Sequence, residues 1–268
     1  MRTTDRLNED WVLASEIHKL EARLWGLVRR ENIRVVMVTS AERGEGKSMT
    51  VAYLATALAR HPERKILAVD LDFRQPQLRV HFGIDGPRSF AAVLNGQCRI
   101  EDVLVKTDLP SLDLVLPCPE GEDPNLLLKT TELGELFAFF RQRYDLVLMD
   151  VPALIPVADA SALMSFADGI VLVVMAGRTT RPMLSRARDL CLGMDARILG
   201  LVVGNLKEAV PEYGDSSYYY GYRTGYAKGQ GSGRGRATRD RPRHGATTGR
   251  TGGPSSTDGG SGARDADA

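Results

Sequence analysis

The stretch "RVVMVTSAERGEGKSMTVAYLATALAR", residues 34–60, decides the fold. It opens on a continuous apolar run, crosses a short loop with two glycines, and continues as a segment with no Gly or Pro. An unbroken Val/Met run suits a strand buried on both faces of a parallel sheet. The loop keeps Gly44, Gly46, Lys47 and Ser48 of the pattern GxxxxGK[ST], with Ala41 in place of the first glycine. Glycines are needed where backbone N–H groups must wrap closely around phosphates. The positive end of the following helix adds to that attraction. Lys47 is placed to reach the β- and γ-phosphates and Ser48 to ligate Mg²⁺, so ATP and Mg²⁺ are the expected cofactors. Gly44, Glu45, Gly46, Lys47, Ser48 and Met49 form the expected nucleotide-binding set. A plain Gly-rich turn between strand and helix does not call for Lys and Ser at these positions.

Further apolar runs follow at 65–72, near 112, at 145–150, at 169–175 and at 198–205. Helical patterns fall between them, most clearly in "LGELFAFFRQR" and "RPMLSRARDLCLGM". Strands alternating with helices predict an α/β fold with a doubly wound, mostly parallel sheet. Ligands of such sheets bind at the carboxyl ends of the strands, and acids cluster there. The second strand ends in "VDLDFR". Asp70 and Asp72 are two apart, so in extended chain both point the same way. Two carboxylates beside a phosphate loop suit Mg²⁺ ligation and a base for an incoming hydroxyl. Asp150 closes the fourth run and occupies the usual position of a second acid in the Mg²⁺ shell. Pro152 is expected to turn the chain out of the sheet, and Asp159 to start a helix.

Residues 10–30 predict an amphipathic helix with Trp11, Ala14, Ile17, Leu20, Leu24 and Leu27 on one stripe. From about residue 209 the pattern stops. Six of the eight tyrosines, Tyr213, Tyr218, Tyr219, Tyr220, Tyr222 and Tyr226, fall in one short segment. The Gly/Arg/Ser-rich remainder is expected to be disordered. The expected organisation is a helical segment over 1–31 that serves oligomerisation, a phosphate-loop domain over 32–208, the tyrosine cluster over 209–227 and a tail over 228–268. Net charge is +1, which argues against nucleic-acid binding on charge alone. The Arg-rich tail loosely resembles single-strand binders, but such tails are more often simply solvated, and no specific nucleic acid is expected. Cys98, Cys118 and Cys191 show no metal or disulfide spacing and read as reduced thiols. The longest apolar run, 169–177, is short of the roughly 20 residues that span a bilayer. The N-terminus shows no signal-peptide pattern, so a cytoplasmic location is expected.

Together "GEGKS" at 44–48, "DLDFR" at 70–74, "YDLVLMDVPA" at 144–153 and the tyrosine cluster resemble the bacterial tyrosine kinases. These are cytoplasmic kinases that co-regulate capsule and exopolysaccharide export. The likeness runs from about residue 10 to 226. It implies a phosphate-loop NTPase of the deviant Walker type that autophosphorylates its tyrosine cluster in trans. It implies Lys47 on the phosphates, Ser48, Asp70 and Asp150 around Mg²⁺, and Asp70, supported by Asp72, receiving the tyrosine proton. Asn205 matches a position near the adenine, and Arg74 the family arginine. A membrane polysaccharide copolymerase or adaptor, a cognate tyrosine phosphatase and further copies of the chain are the implied partners. Arg43 stands where proline is usual, and Ala153 where a second proline is. Where the family carries E-x-x-R-x-x-R for ring assembly, this chain has Glu16, Lys19 and Ala22, with Arg23 one step late. Lys lacks the bidentate geometry of Arg, so the resemblance carries the chemistry more firmly than the ring. A partitioning-type ATPase of the same fold is the alternative reading. Such proteins carry an extra lysine early in the loop, where this chain has Glu42 and Arg43.

Overall fold

The computed structural model describes residues 5–84, 90–117, 123, 125, 130–155 and 159–206. The tyrosine cluster, the tail and Cys118 lie outside the described residues. A single turn, α1 (Arg6–Glu9), precedes the long helix α2 (Trp11–Glu31). Asp10 caps α2, its carboxylate accepting from the N–H groups of Val12 and Leu13 at 3.0 and 3.1 Å. Then follow β1 (Val35–Ser40), α3 (Lys47–Ala59), β2 (Ile66–Asp70), α4 (Leu78–Phe82) and α5 (Phe90–Leu94). The chain continues through β3 (Leu104–Lys106), β4 (Leu112–Val115), α6 (Thr130–Arg143), β5 (Leu146–Asp150) and α7 (Asp159–Ala162). It closes with β6 (Gly169–Met175), α8 (Arg181–Gly193) and β7 (Ile198–Gly204).

The seven strands form one sheet in the order β3-β4-β2-β5-β1-β6-β7. All pairings are parallel except β3 with β4. The sequence predicts the six parallel strands, but not β3, which is too short to show a period. After β1 the chain runs over β5 to reach β2, while β6 lies on the other side of β1. The strand order therefore reverses at β1, and a crevice opens at its carboxyl end. Every residue of β1, β2 and β5 is buried. One face of the sheet packs through Leu67, Val69, Met149 and Phe140, and the other through Val36, Leu54, Leu58 and Leu148. α3 is buried almost all round, so its amino end can be placed rigidly against β1.

α2 forms as expected, with Ile17, Leu24 and Val28 buried, although Trp11 is exposed. Its inward Glu21 is 2% exposed and bonds Arg64, whose guanidinium stacks over Trp25 at 4.2 Å. β5 ends at Asp150 ahead of Pro152, and α7 starts at Asp159, as the sequence implied. Among the described residues, no helix is long and apolar enough to cross a membrane.

Asp168, ahead of β6, ties three elements together. It accepts from the N–H groups of Arg34 and Val35 at 2.7 and 2.8 Å and from Arg141 at 2.8 Å. Burial pushes this carboxyl up, but Arg141 and the two amides outweigh it and hold it below the usual aspartate range. Its contribution is therefore present at neutral pH and is lost as pH falls through that range. Asp168→Ala should cost about 2–3 kcal/mol at pH 7, because two N–H groups and a guanidinium lose an acceptor. Urea unfolding at pH 7 and again at pH 3 checks both the size and the shrinking of the difference.

Candidate active site

The loop between β1 and α3 is held from several sides. The Ser40 hydroxyl donates to the Glu42 carbonyl at 2.6 Å, and the Gly46 carbonyl accepts from both the Thr50 N–H and its hydroxyl at 2.9 Å. Gly44 and Gly46 have φ of 77° and 89°, which side chains with a Cβ rarely adopt. An open cavity of about 700 Å³ lies against the loop. Gly44, Lys47, Ser48, Met49, Asp72, Arg74, His81 and Met175 are among its lining. This is the crevice that the strand order requires.

Two carboxylates, Asp72 and Asp150, close on Lys47, and the charge of Asp70 acts on it from further off. Its ammonium donates to Asp72 at 2.8 Å, reaches the Ser48 hydroxyl at 3.3 Å, and stands 3.8 Å from Asp150. Burial pushes the Lys47 ammonium down, yet Asp150 and Asp72 outweigh burial and hold it above the usual lysine range. Asp70 and Asp150 are direct partners across β2 and β5, and both are fully buried. Burial, together with the neighbouring Asp150, pushes Asp70 well up, against the amides of Leu78 and Asp72. Burial likewise raises Asp150, with Lys47 and Ser48 pulling the other way.

The two acids of "DLDFR" part company. β2 ends at Asp70, so the alternation of extended chain does not reach Asp72. Asp70 stands behind the cavity wall and accepts three backbone N–H bonds, from Asp72 at 3.1 Å and from Gln77 and Leu78 at 3.0 Å. Asp72 lines the cavity itself, with its other oxygen accepting from the Gln75 N–H at 3.1 Å. Between them Leu71 is buried, and Phe73 packs edge-on against Phe90, which fixes the turn from below. Arg74 is left exposed on the cavity rim.

Two of the expected binding residues, Glu45 and Asn205, lie beside the cavity and not on its wall. The Glu45 side chain turns inward, 1% exposed, where it accepts from the Glu42 N–H at 2.9 Å and from the Thr179 hydroxyl. It shapes the loop and does not line the cavity. Asn205 follows β7 with φ 61° and donates to the Ala176 carbonyl at 3.4 Å, one residue beyond the cavity-lining Met175. Arg178 and Thr179, which grip the loop from the turn after β6, were not legible in the sequence: they belong to no phosphate-loop pattern and lie over 130 positions away.

A family model described as an AAA domain matches residues 33–180, over half of the chain. Tyrosine-protein kinase YwqD of Bacillus subtilis (strain 168) is 31% identical over 195 residues, covering 72% of this chain and 80% of that protein. The chain belongs to the bacterial tyrosine kinases. The crystal structure of the VpsO kinase domain superposes on this kinase with a TM-score of 0.64 at 27% identity, covering 74% of this chain and 96% of that one. The fold also extends to the cell-division protein MinD of Aquifex aeolicus, with a TM-score of 0.56 at 28% identity over 68% of this chain and 73% of that one.

The donor set of the kinase fits Mg²⁺. Both Asp150 oxygens are buried without a hydrogen bond. An unsatisfied buried carboxylate costs several kcal/mol, more than a lysine 3.8 Å away offsets. Such a group persists where something else engages it. Among the described residues no group of three His, Cys, Asp or Glu side chains forms a metal cage. One or two carboxylates and the Ser48 hydroxyl, completed by nucleotide phosphates, are oxygen donors of the kind that Mg²⁺ takes.

Proposed function

We propose that this kinase transfers the γ-phosphoryl group of ATP to tyrosines in the C-terminal cluster of a neighbouring copy, in the service of capsule or exopolysaccharide export. The carrying observation is the buried Lys47 held among Asp70, Asp72 and Asp150 beneath a glycine loop. On this reading the loop amides and Lys47 bind the β- and γ-phosphates, and Met49, Met175 and Asn205 border the base. Lys47 leaves its bridge with Asp72 to follow the phosphates. Ser48, Asp70 and Asp150 would hold Mg²⁺, which when bound neutralises the phosphate charge. The tyrosine oxygen attacks the γ-phosphorus, the bond to the bridging oxygen breaks, and ADP leaves with that electron pair. The tyrosine proton passes to the Asp70–Asp72 pair, with Asp72 as its cavity-facing member. This asks the protein mainly for positioning and charge, which the site supplies.

The acceptors are Tyr213, Tyr218, Tyr219, Tyr220, Tyr222 and Tyr226. Segment 223–250 carries eight Lys/Arg against one Asp. Over 213–250, which holds all six tyrosines, the eight Lys/Arg face Asp215 and Asp240, and each phosphotyrosine adds about −1.5 to −2, so modification of all six reverses the sign of that stretch. A membrane-bound polysaccharide copolymerase or adaptor on the cytoplasmic side would recruit and activate the kinase, and a cognate phosphatase would reset it.

The test pairs two full-length chains with ATP and Mg²⁺. One keeps its site but has all six tyrosines changed to Phe, and the other carries Lys47→Met with its tyrosines intact. Mass spectrometry should find phosphotyrosine at 213–226 of the Lys47→Met chain. Steady ATP hydrolysis with no phosphotyrosine would instead favour a MinD-like switch, a reading supported by the shared fold but not by the Glu42–Arg43 loop.

A further inference from the structure

We propose that Arg178 and Thr179, on the turn after β6, are positioning residues that aim the amides of the phosphate loop at the nucleotide. The inference rests on reading this loop as the nucleotide site. One guanidinium nitrogen of Arg178 donates to the Arg43 carbonyl at 2.9 Å, and the other to the Gly44 carbonyl at 3.3 Å. A planar trans peptide points its C=O and the next N–H to opposite sides. Fixing the oxygens of Arg43 and Gly44 towards Arg178 therefore turns the N–H groups of Gly44 and Glu45 away from it. Arg43 and Gly44 line the cavity, whereas Arg178 is not part of its wall. The two freed amides thus serve the cavity side, where a phosphate loop needs them. A cation on the carbonyl side also polarises each amide, which strengthens the N–H as a donor.

The neighbouring residue makes a second tie. The Thr179 hydroxyl accepts from the Met175 N–H at 2.8 Å and donates to the buried Glu45, whose other oxygen accepts from the Glu42 N–H. The loop is thus gripped at Glu42, Arg43, Gly44 and Glu45 from one turn. Gly44 completes the fit. A Cβ there would stand 2.9 Å from an Arg178 nitrogen and would have to adopt φ +77°. The turn also carries Met175 and Ala176, the latter bonded to Asn205. The adenine side and the phosphate side of the cavity are therefore joined through residues 175–179.

The test is calorimetric binding of ADP and AMP with Mg²⁺ to the full chain, alongside Arg178→Gln and Arg178→Lys and their melting temperatures without ligand. Arg178→Gln should weaken ADP about ten-fold, as expected from losing a forked, charge-assisted contact. AMP, which does not reach the β-phosphate amides, should change less than about two-fold, and Arg178→Lys should fall between. Thr179→Val should weaken ADP and Thr179→Ser restore it. Unchanged ADP affinity in Arg178→Gln overturns the inference, and so does an equal loss for AMP, which would mark a general packing role. If Arg178→Gln does not fold, Arg178→Lys decides: intermediate ADP affinity supports the proposal, and wild-type affinity overturns it. Failure of the unaltered chain to bind ADP would instead overturn the nucleotide-site reading beneath it.

Discussion

Lys47→Met is expected to lower phosphotyrosine formation by about three orders of magnitude, the scale on which removal of a preorganised charge acts in such a site. The same substitution should destabilise the fold. Lys47 is the cation among Asp70, Asp72 and Asp150, two of which are wholly buried. Removing one partner of a buried ionic cluster costs about 3–5 kcal/mol, because the remaining charges stay buried and uncompensated. The sign with pH follows from the shifts. Lys47 is held above its usual range, so its contribution is constant across neutral pH and is lost only in strong alkali. In the variant the buried Asp70 and Asp150 carboxyls, already raised, lose the Lys47 charge that favours their ionised form, and stability falls as pH rises through the range in which they ionise. Thermal melts should therefore show a deficit of about 10 °C at pH 7 that narrows towards pH 4. A deficit equal at both pH values would show that Lys47 stabilises by packing and not by charge.

Asp150→Asn is expected to separate function from stability. Activity should fall about 100- to 1000-fold, as when a charged group that acts on the transferring phosphate is lost. Stability should nevertheless rise by about 1–2 kcal/mol at pH 7, the gain seen when strain kept for function is relieved. The reason is the raised carboxyl. Burial opposes its ionisation by more than Lys47 and Ser48 favour it, and neither oxygen has a partner at hydrogen-bond geometry. A group whose folded pKa lies above its unfolded value loses stability as pH rises through that interval. The advantage of the Asp150→Asn chain should therefore be largest at neutral pH and vanish in acid, where Asp150 is protonated. Melting curves at pH 5 and 7.5 without Mg²⁺ read this directly, and added Mg²⁺ with ADP should stabilise the unaltered chain more than the variant. A lower melting temperature for Asp150→Asn at pH 7.5 would mean that Asp150 has a structural partner and is no poised ligand.

The division of labour between Asp70 and Asp72 shows how local pattern and fold share the information. A spacing of two identifies both acids, but the rule that puts them on one face holds only while the chain stays extended. It ends at Asp70, where three amides from the following turn converge on one carboxylate. Glu45 is a similar case. Its place inside the glycine loop marks it as a binding residue, while the burial that turns it towards Thr179 depends on a segment far along the chain.

By itself, the sequence determined the sheet class, the phosphate loop, the three acids at strand ends and the tyrosine cluster. Each is written in contiguous residues whose chemistry or period is local: apolar runs, glycines in a tight loop, a Lys-Ser pair at a helix start, carboxylates after buried strands. Only the tertiary structure decided which carboxylate faces the cavity, which one is left without hydrogen bonds, and which residues grip the loop from outside. Those outcomes depend on burial and on contacts such as Arg178 to Gly44, 134 positions apart. Desolvation and long-range hydrogen bonds arise only once distant strands are packed, and no local pattern records them.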